Sequence, residues 1–189
     1  MTIKEDSNLE QIAAEVAGAL DRAGIRAVLT GGAAAVIYTG GEYQSEDLDF
    51  ILQSVPPQEL LDQVLFEIGF TRKRDHYVHS RSRFFIEFPR GPLSIGRDLR
   101  IRPVEVRVGR RGVLALSPTD SCRDRLAAFY HWNDRQSLQT AIQIARWHRL
   151  NMAAIRRWSL EEGKPEKFEE FKRELRKTSQ RKGSNKERH

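Results

Sequence analysis

LTGGA at residues 29–33 and SEDLDF at residues 45–50 together decide the fold of this chain. The first segment ends a short apolar strand in a Gly-Gly turn, and the alanine-rich run behind it predicts a short helix. The second segment opens another strand, in which apolar and acidic residues alternate. The resulting order is strand, turn, helix, loop and strand, and it places the glycines and the acids close together.

Two acidic side chains share one face of the second strand. Asp47 and Asp49 are two residues apart, so both point away from the apolar face that carries Leu48 and Phe50. Their mutual repulsion is tolerable when a cation lies between them. Mg²⁺, or Mn²⁺ in its place, suits such a pair, because it binds through one or two carboxylates, several waters and substrate phosphates. The spacing therefore predicts a metal site at Asp47 and Asp49.

The glycine turn supplies the other half of a nucleoside triphosphate site. Gly31 and Gly32 have no side chains, so the backbone after Thr30 can approach phosphates closely. A helix that begins at Ala33 would direct its free N–H groups and its positive end at them. Ser45, just before the acids, has two interpretations: it bonds a phosphate, or it fixes the loop.

A third carboxylate is expected to complete the site, and two residues compete for this role. Glu87 lies in FFIEF, where a charged residue within an apolar strand needs a partner. Glu105 lies in VEV, where its alternation with valine equally suits a position that faces solvent. We favour Glu87 as the third metal ligand and as a catalytic carboxylate that orients or deprotonates the acceptor hydroxyl.

These motifs resemble the signature of the polymerase-beta-like nucleotidyltransferase superfamily, and the SEDLDF ending is similar to that of its AbiEii-like branch. The resemblance extends over about residues 28–140. It implies metal-dependent transfer of a nucleoside monophosphate from a triphosphate to an acceptor hydroxyl. The branch includes toxins of toxin–antitoxin and abortive-infection systems, which implies a cognate antitoxin as a partner.

In that branch a helix with a Lys-Leu-x-Ala motif and then a basic-Asp pair follow the third acid. Here Arg125 stands at the lysine position and Asn133 at the basic position before Asp134. Arginine is a bidentate phosphate clamp that cannot act as a proton donor or base, so the resemblance implies a catalytic role for Arg125 in charge neutralisation only. Arg123 is the alternative phosphate contact. Asp134 either belongs to the nucleotide site or starts the next helix.

The wider pattern predicts an α+β fold, with a nucleotidyltransferase-type mixed sheet and flanking helices followed by a C-terminal helical bundle. About five strands are expected before Ser117, whose Ser-Pro-Thr-Asp context is typical of a helix start. His76 and His79 flank Tyr77 in a polar hairpin, which we interpret as a surface turn, with a contact to substrate as the alternative. The predicted divisions are a nucleotidyltransferase domain at 1–116, a helical domain at 117–163 and a flexible basic tail at 164–189.

The aromatic residues of the helices are predicted to pack between helices rather than to stack on bases: Tyr130, Trp132 and Trp147.

Composition favours a soluble, cytoplasmic protein. Hydrophobic residues make up 39% of the 189 residues, no apolar run is long enough for a membrane span, and Cys122 is the only cysteine. The net charge of +6 is concentrated in the tail, which favours tRNA or another RNA as the acceptor, with a protein hydroxyl as the alternative. A second hypothesis is a binding or regulatory protein that keeps the nucleotidyltransferase fold without turnover.

Overall fold

A computed structural model describes residues 3–186 of the chain, with side chains as far as residue 178. Helices and strands alternate in its first part, and helices alone form the second part. The strands are β1 (Ala27–Leu29), β2 (Asp47–Leu52), β3 (Phe70–Lys73), β4 (His76–His79), β5 (Phe85–Glu87), β6 (Val104–Val108) and β7 (Arg111–Ala115). The helices are α1 (Leu9–Arg22), α2 (Gly31–Tyr38), α3 (Gln58–Glu67), α4 (Pro118–Trp132), α5 (Arg135–Trp147), α6 (Met152–Glu161) and α7 (Pro165–Lys186).

The strands of the described residues form one sheet in the order β3-β4-β5-β2-β1-β7-β6. The pairs β2–β5 and β1–β7 are parallel, and the other neighbouring pairs are antiparallel. This mixed sheet with its helices is the α+β class that the sequence predicts. β2 lies in the interior of the sheet, so the acids that it carries are flanked by strands on both sides.

The sheet has seven strands where about five were expected. The polar turn predicted at His76 to His79 is instead β4, which pairs with β3 on one side and β5 on the other. Of its four residues only Tyr77 is buried, at 3% exposure, and the histidines on either side are polar. The strand was missed because so short a segment with one inward residue shows little hydrophobic alternation.

Helix starts follow the sequence closely. The carbonyl oxygen of the Asn8 side chain accepts from the backbone N–H of Gln11, and the Gln11 side chain accepts from the Asn8 N–H, which forms a capping box for α1. At α4 the predicted cap is confirmed, because the Ser117 hydroxyl accepts from the backbone N–H of Asp120 and Pro118 occupies the first turn.

Buried side chains form two clusters. One lies between the sheet and α1, α2 and α3, and includes Leu48, Phe50 and Phe70. The other lies among the C-terminal helices and includes Phe129 and Trp158.

Helix α2 contributes to both clusters, and the hydroxyl of its last residue, Tyr38, donates to the carbonyl of Leu116 at 2.7 Å. The helix that follows the glycine turn is thereby fixed to both parts of the molecule.

Helix α7 covers most of the segment for which a flexible basic tail was predicted. Phe168 and Phe171 are 3% and 0% exposed and pack in the second cluster, so this helix is part of the core. Its basic side chains are partly neutralised within the fold, as in the ion pairs Lys172–Glu169 and Lys177–Glu174. The high count of charged residues concealed the two inward aromatic residues. The last three residues of the predicted tail, 187–189, lie outside the described residues.

Candidate active site

The alternation of β2 separates its acids from its core residues. Leu48 and Phe50 are fully buried in the sheet-side cluster, while Asp47 and Asp49 are partly buried on the opposite face. The two carboxylates therefore lie on one wall, as residues two apart on a strand must. Asp49 is also tied to the glycine turn, because its carbonyl accepts from the backbone N–H of Thr30 at 2.9 Å and from the Thr30 hydroxyl at 3.3 Å.

Glu87 lies on the strand next to these acids. In the parallel pairing of β2 and β5, Asp47 is the partner of Phe85 and Asp49 is the partner of Glu87. Paired residues of adjacent strands point to the same face, so Glu87 joins the wall that carries the aspartates. Glu105, its rival in the sequence, lies exposed on the edge strand β6 at the other side of the sheet. The fold therefore brings Glu87, and not Glu105, next to the acid pair.

Asp49 has the most strongly perturbed carboxyl group of the site. Burial and the negative charges of Asp47 and Glu87 raise its pKa from 3.8 to about 6, against the opposing effect of the Arg125 guanidinium. A pKa raised by burial and by like charges means that the ionised group is held in an unfavourable environment. Groups of this kind are typical of functional sites, where a bound cation removes the repulsion.

The Gly31-Gly32 turn packs directly against the acids. Gly31 has a φ of +64°, which L-residues with side chains rarely adopt, and a methyl group there would overlap Oδ2 of Asp49. A methyl group on Gly32 would overlap Oγ of Ser45. Thr30, the cap residue of α2, makes no side-chain cap hydrogen bond, so the first N–H groups of this helix are free for another acceptor. The turn thus forms a side-chain-free cradle at a positive helix end.

Ser45 and Tyr43 close one side of this cradle. The Ser45 hydroxyl donates to Oδ1 of Asp47 at 2.6 Å, which supports its interpretation as a residue that fixes the loop and the acid. The Tyr43 hydroxyl would lie 3.2 Å from a methyl group on Gly32, so it also faces the cradle. Sequence reasoning missed Tyr43, because a lone tyrosine in a loop carries no pattern. Both residues border a cavity of about 600 Å³ that extends to the start of α1.

Arg125 projects from α4 toward the acids. Its side chain is 17% exposed, and its Nη2 and Nε atoms donate to Oδ2 of Asp124 at 2.7 and 3.2 Å. Its positive charge opposes the rise in the Asp49 pKa. The pKa of Asp134 is lowered mainly by hydrogen bonds from Ser137 and Gln136, with a smaller contribution from Arg125. Arg125 is therefore the cation that faces the carboxylate wall, and Asp124, a neighbour that sequence reasoning missed, holds its guanidinium.

Two other residues predicted to contact the nucleotide have structural contacts of their own. The Arg123 guanidinium is 8% exposed and binds Asp98 at 2.6 Å and Asp120 at 2.8 Å, so it joins the loop before β6 to α4 rather than facing the site. Arg123 and Arg125 differ because two residues along a helix turn a side chain to a different face.

Asp134 caps α5, where its carboxylate accepts from the backbone N–H groups of Gln136 and Ser137. Of its two interpretations, the helix start is the one with visible contacts.

The donor set suits Mg²⁺ or Mn²⁺. Among residues 3–178, no group of three or more His, Cys, Asp or Glu side chains is arranged to hold a metal ion on its own. Mg²⁺ commonly takes one or two carboxylates and completes its shell with water and substrate phosphates. Oxygen donors at Asp47 and Asp49, beside a cradle that any side chain would fill, fit that ion.

Comparison with solved structures identifies this arrangement of sheet and helices. An antigenic nucleotidyltransferase-like protein from Paracoccidioides brasiliensis superposes on 73% of the chain and 75% of its own length, with a TM-score of 0.59 and 19% identity. The antibiotic-resistance factor ANT(2'')-Ia covers 95% of the chain and 97% of its own length, with a TM-score of 0.50 and 13% identity. The chain has a nucleotidyltransferase fold.

No protein-family model matches the sequence, and no curated protein matches it. The nucleotidyltransferase fold of this chain is thus detected by comparison of three-dimensional structures and in a few short sequence motifs. Within the described residues, no helix is long and apolar enough to cross a membrane.

Proposed function

We propose that the chain is a metal-dependent nucleotidyltransferase that moves a nucleoside monophosphate from a nucleoside triphosphate to an acceptor hydroxyl. One observation carries this proposal: Asp49 and Glu87 lie in register on parallel strands, directly beside the Gly31-Gly32 cradle. A fold that needed only a scaffold has no use for clustered carboxylates in which burial and mutual repulsion raise the pKa of Asp49 to about 6.

Each part of the site has a role in such a transfer. Asp47, Asp49 and Glu87 would hold Mg²⁺ or Mn²⁺, which when bound neutralises the charge of the triphosphate. The N–H groups of Gly31 and Gly32 bind phosphate oxygens at the start of α2. The acceptor oxygen forms a bond to the α-phosphorus, and the bond to the bridging oxygen of the leaving pyrophosphate breaks. Glu87 orients the acceptor hydroxyl or takes its proton, and Arg125 neutralises the pyrophosphate.

The acceptor is the least constrained part of the proposal, and the sequence offers tRNA, another RNA or a protein hydroxyl. The cavity next to Ser45 is lined by the carboxylates of Glu5, Asp6 and Glu10, with Arg83 as its cation. This excess of negative charge favours an acceptor without phosphates in the cavity itself. An RNA acceptor would instead have to approach along the basic residues of α7, whose charges are partly paired with glutamate.

The resemblance to the AbiEii-like branch supports a further biological role, that of the toxin in a toxin–antitoxin pair. In that role the transferase chemistry disables an essential acceptor, and a cognate antitoxin protein restrains it. Expression of the active chain alone is then expected to arrest growth, whereas expression of an Asp49→Asn variant is not. Equal growth of both cultures would speak against the toxin role and leave the chemistry untouched.

A second candidate function is a binding or regulatory protein that retains the fold and lacks turnover. The observation that favours it is Arg125 at the position where the branch has lysine, held by Asp124 at 2.7 Å. Arginine keeps its proton at any pH, so it can clamp phosphate but cannot exchange a proton during catalysis. This candidate predicts nucleotide binding without transfer.

The deciding experiment measures label transfer. Purified protein is incubated with Mg²⁺ or Mn²⁺, each of the four α-labelled nucleoside triphosphates, and total RNA or cell lysate. We expect label to move to an acceptor with the wild-type chain and with Glu105→Gln, and to stay in the triphosphate with Asp49→Asn and Glu87→Gln. Because Glu105 is an exposed glutamate of the same sheet, it is the matched control for Glu87. Wild-type protein that binds nucleotide yet labels nothing under any condition would favour the second candidate.

A further inference from the structure

Trp132 is the most exposed tryptophan of the chain. Its side chain lies at the end of α4 and is 78% exposed, although the sequence predicts that it packs between helices. Tyr130 and Trp158, by contrast, are 4% and 2% exposed and stack on each other in the helical core. Core packing thus explains Tyr130 and Trp158, whereas the Trp132 indole contacts the His131 ring at its edge and is otherwise mostly exposed.

The position of Trp132 relates it to the candidate active site. Arg125 and Trp132 are seven residues apart on α4, so they lie on one face of the helix about 10 Å apart along its axis. Ala128 lies between them on that face and is small and partly exposed, whereas Phe129, which also lies between them, is fully buried in the helical core. This face of α4 therefore carries the Arg125 guanidinium, which lies opposite Asp49, at one end and the exposed Trp132 ring at the other.

The turn that carries the indole is firmly held, because Asp134 caps α5 and the Lys167 ammonium donates to the Asn133 side chain at 2.6 Å. The ring is therefore presented on a fixed support.

We propose that the indole of Trp132 is a stacking platform for the nucleobase of the nucleoside triphosphate. The inference rests on the proposed function, since it takes the phosphates to lie between the Gly31-Gly32 cradle and Arg125. The ribose then extends along the open face of α4, and the base covers the exposed ring. Stacking on an aromatic face tolerates all four bases, so this platform gives affinity with little selection among nucleotides.

The test compares a ligand that has a base with one that has none. Binding of ATP and of inorganic tripolyphosphate, each with Mg²⁺, is measured by titration calorimetry for the wild type, Trp132→Ala and Trp132→Phe. We expect Trp132→Ala to weaken ATP binding about tenfold and to leave tripolyphosphate binding unchanged, with most of the ATP affinity kept in Trp132→Phe. Phe66→Ala is the matched control, because Phe66 is a 69% exposed aromatic residue on α3, which packs against α1 and β3.

Four outcomes would overturn the proposal. An unchanged ATP affinity in Trp132→Ala, or an equal loss for ATP and tripolyphosphate, rejects the platform and leaves the transferase site intact. A loss confined to binding of a short single-stranded RNA assigns the ring to an acceptor base instead. Wild-type protein that binds neither ATP nor tripolyphosphate rejects the phosphate cradle, and with it both the proposed function and this inference.

Discussion

Asp49 and Glu87 are register partners on two parallel strands, β2 and β5, and their carboxylates share one face of the sheet. With Asp47 two residues away on β2, three carboxylates lie on this face. Burial and the charges of Asp47 and Glu87 raise the pKa of Asp49 to about 6, while the Arg125 guanidinium opposes this rise. A cation bound between the carboxylates would relieve their repulsion.

In metal-free buffer, Asp49→Asn is expected to be more stable than the wild type at pH 8. The pKa of Asp49 is about 6 in the folded chain and near 3.8 when unfolded, so the folded state binds more protons between these values. Ionisation therefore lowers the free energy of unfolding as pH rises through this window. Asparagine removes that loss, which is about 3 kcal/mol at pH 8 and vanishes below about pH 4. Denaturant titrations with EDTA from pH 4 to 8 measure it.

The control for this substitution is Asp21→Asn, an exposed aspartate at the end of α1. It makes the same change of side chain outside the acid wall, so an effect that the two variants share does not come from the wall. A wild type and an Asp49→Asn variant with parallel profiles between pH 4 and 8 would show that the acid wall carries no such repulsion.

Mg²⁺ is expected to stabilise the wild-type chain and to lose this effect when the acids are neutralised. A ligand that binds only the folded state adds about 2.7 kcal/mol at a hundred times its dissociation constant. Thermal unfolding with rising Mg²⁺ should therefore give a higher Tm for the wild type and for Glu105→Gln, and a flat Tm for Asp49→Asn. Glu87→Gln is expected to show a smaller shift than the wild type. The same shift in all four chains would mean that the ion binds elsewhere.

Gly31→Ala is expected to abolish nucleotide transfer, because the added methyl group overlaps the Asp49 carboxylate. Backbone strain alone cannot account for such a loss, and Gly24→Ala separates the two effects. Gly24 has a φ of +72°, close to the +64° of Gly31, and has no atom within 4 Å of a methyl group placed on it. Both variants should lose about 1 to 2 kcal/mol of stability from the left-handed conformation. Only Gly31→Ala should lose Mg²⁺ and nucleotide binding, and equal behaviour of the two would contradict the cradle.

The core of the site was predictable because its chemistry is local in sequence. Gly31, Asp47 and Asp49 lie within one strand-turn-helix-strand unit, in which alternation and turn residues fix which atoms meet. The choice of Glu87 over Glu105 needed only the expectation that a charge in an apolar strand has a partner. The sheet order explains why Glu87 lies near the aspartates and Glu105 does not, since β5 adjoins β2 and β6 lies at the far edge.

Contacts between distant segments were not predictable in this way. Asp98 and Arg123 lie 25 residues apart, and nothing in either local pattern signals that they pair. The role of Arg123 as a phosphate contact stays a prediction, although its guanidinium is paired with Asp98 and Asp120. Trp132 was predicted to pack because of the apolar spacing along its helix. Such spacing does not show whether a neighbouring helix extends far enough to cover the residue. The aromatic residues of α7 were hidden by the many charges around them.

Arg125→Ala is expected to lower kcat/KM for the triphosphate about 100-fold, because it removes the cation that faces the developing charge of the leaving group. Arg125→Lys should keep most of this activity, since a point charge at the same place still neutralises phosphate, although without the bidentate geometry. Steady-state kinetics with varied nucleotide checks both values. Asp124→Asn, which frees the guanidinium from its 2.7 Å ion pair, should change activity less than Arg125→Ala. An alanine variant with wild-type kinetics would remove Arg125 from the site.

Arg123→Ala is expected to destabilise the fold without impairing nucleotide binding by the molecules that remain folded. Its guanidinium is 8% exposed, binds the carboxylates of Asp98 and Asp120, and lies 5.1 Å from the Trp158 ring. Removing one partner of such a buried network leaves uncompensated charges, which costs about 3 kcal/mol or more. Burial alone would raise the pKa of Asp98, but hydrogen bonds from the Arg100 backbone and from both arginine side chains hold it well below its usual range.

The sign of the pH dependence follows from that depressed pKa. Stability from ionised Asp98 is present above the unfolded pKa of about 3.8 and is lost as pH falls through the lower folded value. The deficit of Arg123→Ala relative to the wild type should therefore be largest near neutral pH and shrink below about pH 4. Denaturant titrations give the deficit, and ATP titration at a temperature where both chains are folded gives the affinity. A variant of normal stability that has lost ATP binding would restore Arg123 to the nucleotide site.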